Sequence, residues 1–220
     1  MGYVSFSLPK EIVLEFKNEA KFQNFIETGT YKGGSSYWAA RHFDNVYTIE
    51  IDPEISKATA SRPECPENIE FLVGNSKDVL PELVENIHSP SLFWLDGHWC
   101  NISEVGKDME CPLIDEIKAL KNFQSSVILI DDARAFLGPL PPPHDDSQWP
   151  RIDEIILLLK AQFPDNLVTI ADDVIYCIPP SLIPVYDKSW IKYYGTRFGN
   201  KKTIFHKIGR TILKSIGLRK

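Results

Sequence analysis

The chain has 220 residues, of which 43% are hydrophobic and 25% charged, a balance that supports a globular domain with a real core and disfavours disordered and membrane classes. No run approaches the roughly 20 apolar residues that a membrane-spanning helix needs. The net charge of −6 hides a division: from Tyr186 onward ten Lys and Arg residues face Asp187 alone, a balance of +9 that leaves −15 on residues 1–185.

In chain order, residues 8–20 read as an opening helix with Pro9 near its first turn, and 22–27 as a first strand followed by a Gly-rich turn. A helix over 35–42, a second strand over 45–51 and a short helix over 55–61 follow. The third strand covers 69–73, with a helix through 79–86, the fourth 91–96, with a helix over 113–122, and the fifth 126–131. The fifth is a continuous apolar run, as in a strand buried on both faces. The prolines of FLGPLPPPHDDSQWP forbid regular structure there. A helix over 152–163 and two short strands around Ala171-Asp172-Asp173 close the domain. This alternation predicts βαβ units and a mainly parallel sheet flanked by helices.

The last element spans 203–216, where Ile204, Ile208, Ile212 and Ile216 recur every fourth residue beside Lys207, Arg210 and Lys214. One face is apolar and the other basic. We expect a catalytic domain at 1–185 and a basic extension at 186–220, whose helix docks on protein, as in a homo-oligomer, or touches an anionic membrane peripherally. Nucleic acid is not expected, because the acidic body repels phosphate. The N-terminal residues lack the order of a signal peptide, and Phe6 stands where a myristoylation signal wants Ser or Thr, so a cytoplasmic location is expected. Cys65, Cys100, Cys111 and Cys177 are too scattered for a zinc or disulfide framework and read as reduced thiols, Cys177 in a buried strand.

The chemistry-bearing stretch begins FIETGTYKGGSS, residues 25–36, directly after a strand. Gly29 allows a sharp turn and close approach of a ligand to the backbone. The helix behind Gly33 and Gly34 offers free N–H groups. The spacing departs from Gly-x-Gly-x-x-Gly, which disfavours a nicotinamide oxidoreductase. Glu50 ends the second strand 21 residues beyond Gly29, where a carboxylate can accept both hydroxyls of a ribose, and Gly74-Asn75-Ser76 lies at the sheet edge where open α/β folds bind ligands.

The order ETGTxxGGSS, TIEID, GNSKDVLP, FWLDGHW resembles the class I S-adenosylmethionine (SAM)-dependent methyltransferases, over roughly residues 20–180. It looks most like the metal-dependent O-methyltransferases, catechol-type and macrolide-sugar-type. The resemblance implies a Rossmann-like, seven-stranded sheet with its last strand antiparallel. It implies that Glu27, Gly29 and Gly33 line the methionine part of SAM, that Glu50 holds the ribose and that Ser76 approaches the adenine. Thr30, Ser35, Ile51, Asn75 and Asp96 complete the expected cofactor-binding set.

Asp96 ends the fourth strand, and Asp131 and Asp132 the fifth, so their carboxylates can converge. Three hard oxygen donors suit Mg²⁺, and the resembled enzymes hold their ion with such a set; the alternative is that these aspartates cap turns. The lysine those enzymes carry shortly after the first Asp is missing, and Trp99 and Cys100 stand in that neighbourhood. His98 is the expected base, with adenine stacking or a structural bond as its alternatives. His144, in the proline-rich loop that could close as a lid, is the second candidate. The expected function is Mg²⁺-assisted O-methylation of a sugar hydroxyl in a polysaccharide, glycolipid or glycosylated natural product. A small phenol or nitrogen acceptor, or a regulatory module that binds SAM or a nucleotide without turnover, are the alternatives.

Overall fold

The computed structural model describes residues 7–101 and 103–195. Chain contacts divide into two units, Met1–Leu182 and Ile183–Lys220. In the first, seven strands form one sheet in the order β3-β2-β1-β4-β5-β7-β6. They are β1 (Asn24–Thr28), β2 (Asn45–Glu50), β3 (Ile69–Val73), β4 (Leu92–Leu95), β5 (Val127–Ile130), β6 (Leu167–Ala171) and β7 (Val174–Ile178). All of β1 to β5 pair in parallel, and β7 runs antiparallel to both β5 and β6. This is the Rossmann-like arrangement that the resemblance implies, with its last strand in sequence reversed.

Burial follows position in the sheet. The strands β1, β4, β5 and β7 are buried at every residue, which is why β4, β5 and β7 are continuous apolar runs rather than alternating ones, while β1 buries the polar Asn24, Glu27 and Thr28 among its residues. The edge strands β3 and β6 are only partly covered. Cys177 lies within β7, fully buried, and all four cysteines are free thiols.

The helices of this unit are α1 (Lys10–Ala20), α2 (Gly34–Ala39), α3 (Pro53–Ala60), α4 (Ser76–Val84), α5 (Leu113–Ala119) and α6 (Ile152–Gln162). Their starts are set by local chemistry. Asp52 caps α3, accepting from the N–H groups of Glu54 and Ile55, with Pro53 in the first turn where its missing N–H costs nothing. Asn75 caps α4 by accepting from Lys77 N, so this helix begins at Ser76, earlier than its apolar periodicity predicts. Phe22 is buried but precedes β1, because the left-handed Lys21 ends α1 and turns the Phe22 N–H back to Lys17 O. A short 3-10 turn, Asp146–Gln148, interrupts the stretch expected to lack regular structure, and another, Ala133–Phe136, leads into it.

The second unit is described as far as α7 (Ile183–Trp190) and a π-helical turn at Ile191–Gly195. The amphipathic helix expected over 203–216 lies outside the described residues. Among the described residues no helix is long and apolar enough to cross a membrane.

Candidate active site

The register of the sheet puts the chemistry in one row. Thr28 pairs with Ile49 of β2 and with Leu95 of β4, and Leu95 pairs with Ile130 of β5. The next residue on each strand is therefore Gly29, Glu50, Asp96 and Asp131. The ladder carries one bond further at each: Gly29 N to Ile49 O, Asp96 N to Thr28 O and Asp131 N to Leu95 O. Four apolar strands thus stop at the same level and present polar groups at their C-terminal ends, where open α/β sheets take ligands.

A cavity of about 260 Å³ opens over this row. One end is walled by Gly29, Glu50, Ile51, Asn75 and Ser76, the other by Asp96, His98, Asp131 and Asp132. Gly29 has φ +83°, and a Cβ there would stand 2.1 Å from the Asp96 carbonyl oxygen, so no side chain fits between the turn and β4. Glu50 is nearly buried; its oxygens accept from Tyr31 N at 2.8 Å and Asp52 N at 3.1 Å. Those two bonds fix the carboxylate and leave acceptor capacity for two further donors.

Other expected cofactor residues lie behind this wall. Glu27 is fully buried, and its carboxylate accepts from Ser35, Ser36 and Thr48, the last at 2.8 Å. Thr30 pairs its hydroxyl with that of Thr48 at 2.6 Å. Gly33 starts α2 in the left-handed region, facing Thr59 and Tyr37. Glu27, Thr30, Gly33 and Ser35 therefore brace the Gly-rich turn from within. Burial pushes Glu27 up to about 7 despite its three hydroxyl donors.

At the far end His98 Nε2 lies 2.9 Å from Asp132 Oδ2 and 3.9 Å from Asp96 Oδ1. Burial alone would lower the imidazole pKa, but the Asp132 bond and the charges of Asp96, Asp132 and Asp131 raise it. Asp132 is held low by that same histidine, helped by Arg134, whose Nη2 is 2.8 Å from Oδ1. Asp131 is pushed up to about 6 by burial and by Asp132. Asp96 is held well above its ordinary value, first by burial and then by Asp131.

His144 stands elsewhere. Its Nδ1 is 3.1 Å from Glu110 Oε2, and Trp99 and Trp149 pack edge-on against its ring. Glu110 is buried and also accepts from Asp145 N and Trp149 Nε1. Asp146 adds bonds to Leu140 N and Arg151. The proline-rich loop is therefore fastened to the segment before α5, and His144 does not reach the cavity wall.

That segment is what the sequence did not announce. Trp99 N donates to Glu110 O, closing 99–110 into a loop whose Trp99, Ser103, Val105 and Met109 wall the cavity. The sequence marked it only as longer than in catechol-type enzymes, with Trp99 and Cys100 placed after LDGH.

A methyltransferase-domain family profile matches residues 26–133. Residues 26–133 form a class I SAM-dependent methyltransferase domain. The fold recurs in a candidate caffeoyl-CoA O-methyltransferase from Staphylococcus aureus, at 14% identity over 80% of this chain and 86% of that one, with a TM-score of 0.59. Human methyltransferase-like protein 13, solved with S-adenosylhomocysteine (SAH), gives 13% identity, 81% and 88% coverage and a TM-score of 0.51. A candidate methyltransferase from Streptococcus mutans, also solved with SAH, gives 10%, 79% and 97%, and 0.50. No curated protein sequence matches the chain. The cavity of this methyltransferase fits SAM by its donor set: a bare backbone at Gly29, a fixed carboxylate at Glu50 and apolar walls from Ile49, Ile51 and Ile55.

Proposed function

We propose that this methyltransferase moves the methyl group of SAM to a hydroxyl oxygen, with His98 as the base. The observation that carries this reading is the His98–Asp132 pair at the end of the cavity. With Nε2 engaged by Asp132, the ring's other nitrogen, Nδ1, has no hydrogen bond among the described residues and is the proton acceptor. Asp132 fixes the ring and stabilises the imidazolium that forms, the role an orienting carboxylate has toward a catalytic histidine. SAM supplies an electrophilic methyl group on a positively charged sulfur. Around it Glu50 holds the ribose hydroxyls, Asn75 and Ser76 meet the adenine, and Gly29 lets the methionine part lie against the backbone. The residues of the 99–110 loop exclude water from an in-line attack that needs the acceptor oxygen about 3 Å from the methyl carbon.

The side chains do not fit a magnesium site as they stand. Among the described residues no three acidic, imidazole or thiol groups converge as a metal cage. Both oxygens of Asp132 are engaged, one by His98 and one by Arg134. A cation held by Asp96, Asp131 and Asp132 would require Asp132 to leave both partners, so the proton path here runs through His98.

The acceptor we assign is a sugar hydroxyl, in a polysaccharide, glycolipid or glycosylated natural product. Its support is the likeness of LDGHW with ECPLIDEI to sugar-modifying enzymes. A labelled-methyl assay over sugars, phenols and amines, with and without chelator, tests the whole reading. Expected are transfer to a sugar hydroxyl in excess chelator, and a loss of about 10²–10⁴ in kcat for His98→Ala with SAM still bound. Loss of turnover on chelation restores the metal, and undiminished turnover by His98→Ala removes the base.

A further inference from the structure

The turn between β6 and β7 contains two consecutive non-glycine residues in the left-handed region, Asp172 with φ +46° and Asp173 with φ +70°. Such conformations cost energy unless surrounding bonds fix them. Asp173 makes those bonds to the segment that follows β5. Its carbonyl oxygen accepts from Ala133 N at 2.7 Å, and its Oδ1 from Arg134 N at 2.9 Å. Its Oδ2 takes the Arg134 guanidinium through Nη1. The Asp173 side chain is 5% exposed, so this carboxylate is enclosed, while its cationic partner is half exposed.

The second nitrogen of the same guanidinium, Nη2, binds Asp132 Oδ1, while Asp132 Oδ2 binds His98 Nε2. Asp132 is itself left-handed, with φ +52°. A hairpin turn on the far side of β5 is thereby connected to the imidazole through one guanidinium and one carboxylate. A turn that needed only capping would be satisfied by the two backbone bonds. The forked arrangement, one Arg head between two aspartates, also fixes where the Asp132 carboxylate points. We infer that Asp173, acting through Arg134, is a positioning residue for the His98–Asp132 pair. The inference rests on the assignment of His98 as base, but its structural part can be judged apart from it.

The test uses the full chain carrying Asp173→Asn, Arg134→Met or Arg134→Lys, each alone and on a His98→Ala background. Kinetics are read beside the side-chain nitrogen resonances of His98. Expected for Asp173→Asn and Arg134→Met is a fall in kcat of about tenfold or more, with SAM affinity kept within about twofold. The His98 nitrogens should shift from one dominant tautomer to a mixture. Lysine at 134 should recover less than half of the lost rate, because one ammonium cannot bridge both carboxylates in a fork. On the His98→Ala background neither Asp173→Asn nor Arg134→Met should cost more, since residues acting as a unit are not additive. Unaltered kcat and unaltered His98 resonances in Asp173→Asn would overturn the inference, as would an equal rate loss with and without His98. Should Asp173→Asn fail to fold, Arg134→Met decides by the same measurements, its side chain being half exposed. Full turnover by His98→Ala sinks the base assignment alone, because the His98 resonances still report whether the clamp holds the ring.

Discussion

Glu50 is the residue whose loss is simplest to read. Its carboxylate is fixed by two backbone N–H donors and faces the cavity, so Glu50→Ala removes an acceptor without disturbing a packed apolar group. A hydrogen bond to a charged group contributes about 1.5–3 kcal/mol, which sets the expected loss of SAM affinity at roughly ten- to a hundredfold by calorimetry. Unchanged affinity would take the ribose role from Glu50. Glu50, Asp96 and Asp131 were legible in the sequence for one reason: each ends an apolar strand, and strand ends in a parallel sheet share an edge. Glu27, Thr30 and Ser35 were not separable from them by spacing. Which way a side chain points after a tight turn depends on partners such as Thr48, from another strand. His144 shows the same limit more sharply, since the carboxylate that takes it, Glu110, is 34 residues away.

At the scale of elements, the reversed β7 was readable from the Asp172-Asp173 turn between two apolar runs, and the number of strands from the resemblance; the strand order was not read. The 99–110 loop was not readable. It has no periodicity, and its shape comes from single bonds, Trp99 N to Glu110 O and Trp99 Nε1 to Ser103 O. The basic extension poses the reverse case, a clear pattern in residues outside those described. Its apolar stripe needs cover, and we propose that protein supplies it. A chain ending at Asn200 should then lose solubility or change its oligomeric state in sedimentation. A monodisperse shortened enzyme that has only lost binding to anionic vesicles at low salt would place the stripe on a membrane instead.

For the whole molecule, the buried acids set how stability responds to pH. Glu27, raised to about 7 from 4.5, holds a proton in the folded chain over a range where the unfolded chain has released it. Stability is therefore greatest below pH 4.5 as far as this group is concerned, falls between pH 4.5 and 7, and is level above. The shift corresponds to about 3 kcal/mol. Asp96, Asp131 and Glu116, also raised by burial, act in the same direction. Asp132 and Glu110, held low by their partners, act oppositely, and their contribution disappears only at more acid pH. Denaturant titrations should show wild type weakening from pH 5 to 7.5, and Glu27→Gln weakening less by about that amount. Equal slopes would mean that Glu27 is ionised throughout.

The crowding of Asp96 and Asp131 at one end of the cavity has a consequence for turnover itself. These carboxyls resist ionising because each is buried beside other acids. A positively charged guest relieves that resistance, so the cavity favours a sulfonium over a neutral thioether of the same shape. Methyl transfer converts the one into the other, and the floor that helped to draw the donor in then grips the spent product less tightly. Calorimetry at neutral pH is therefore expected to show SAM bound more tightly than SAH, and the reverse order would take this role from the two aspartates.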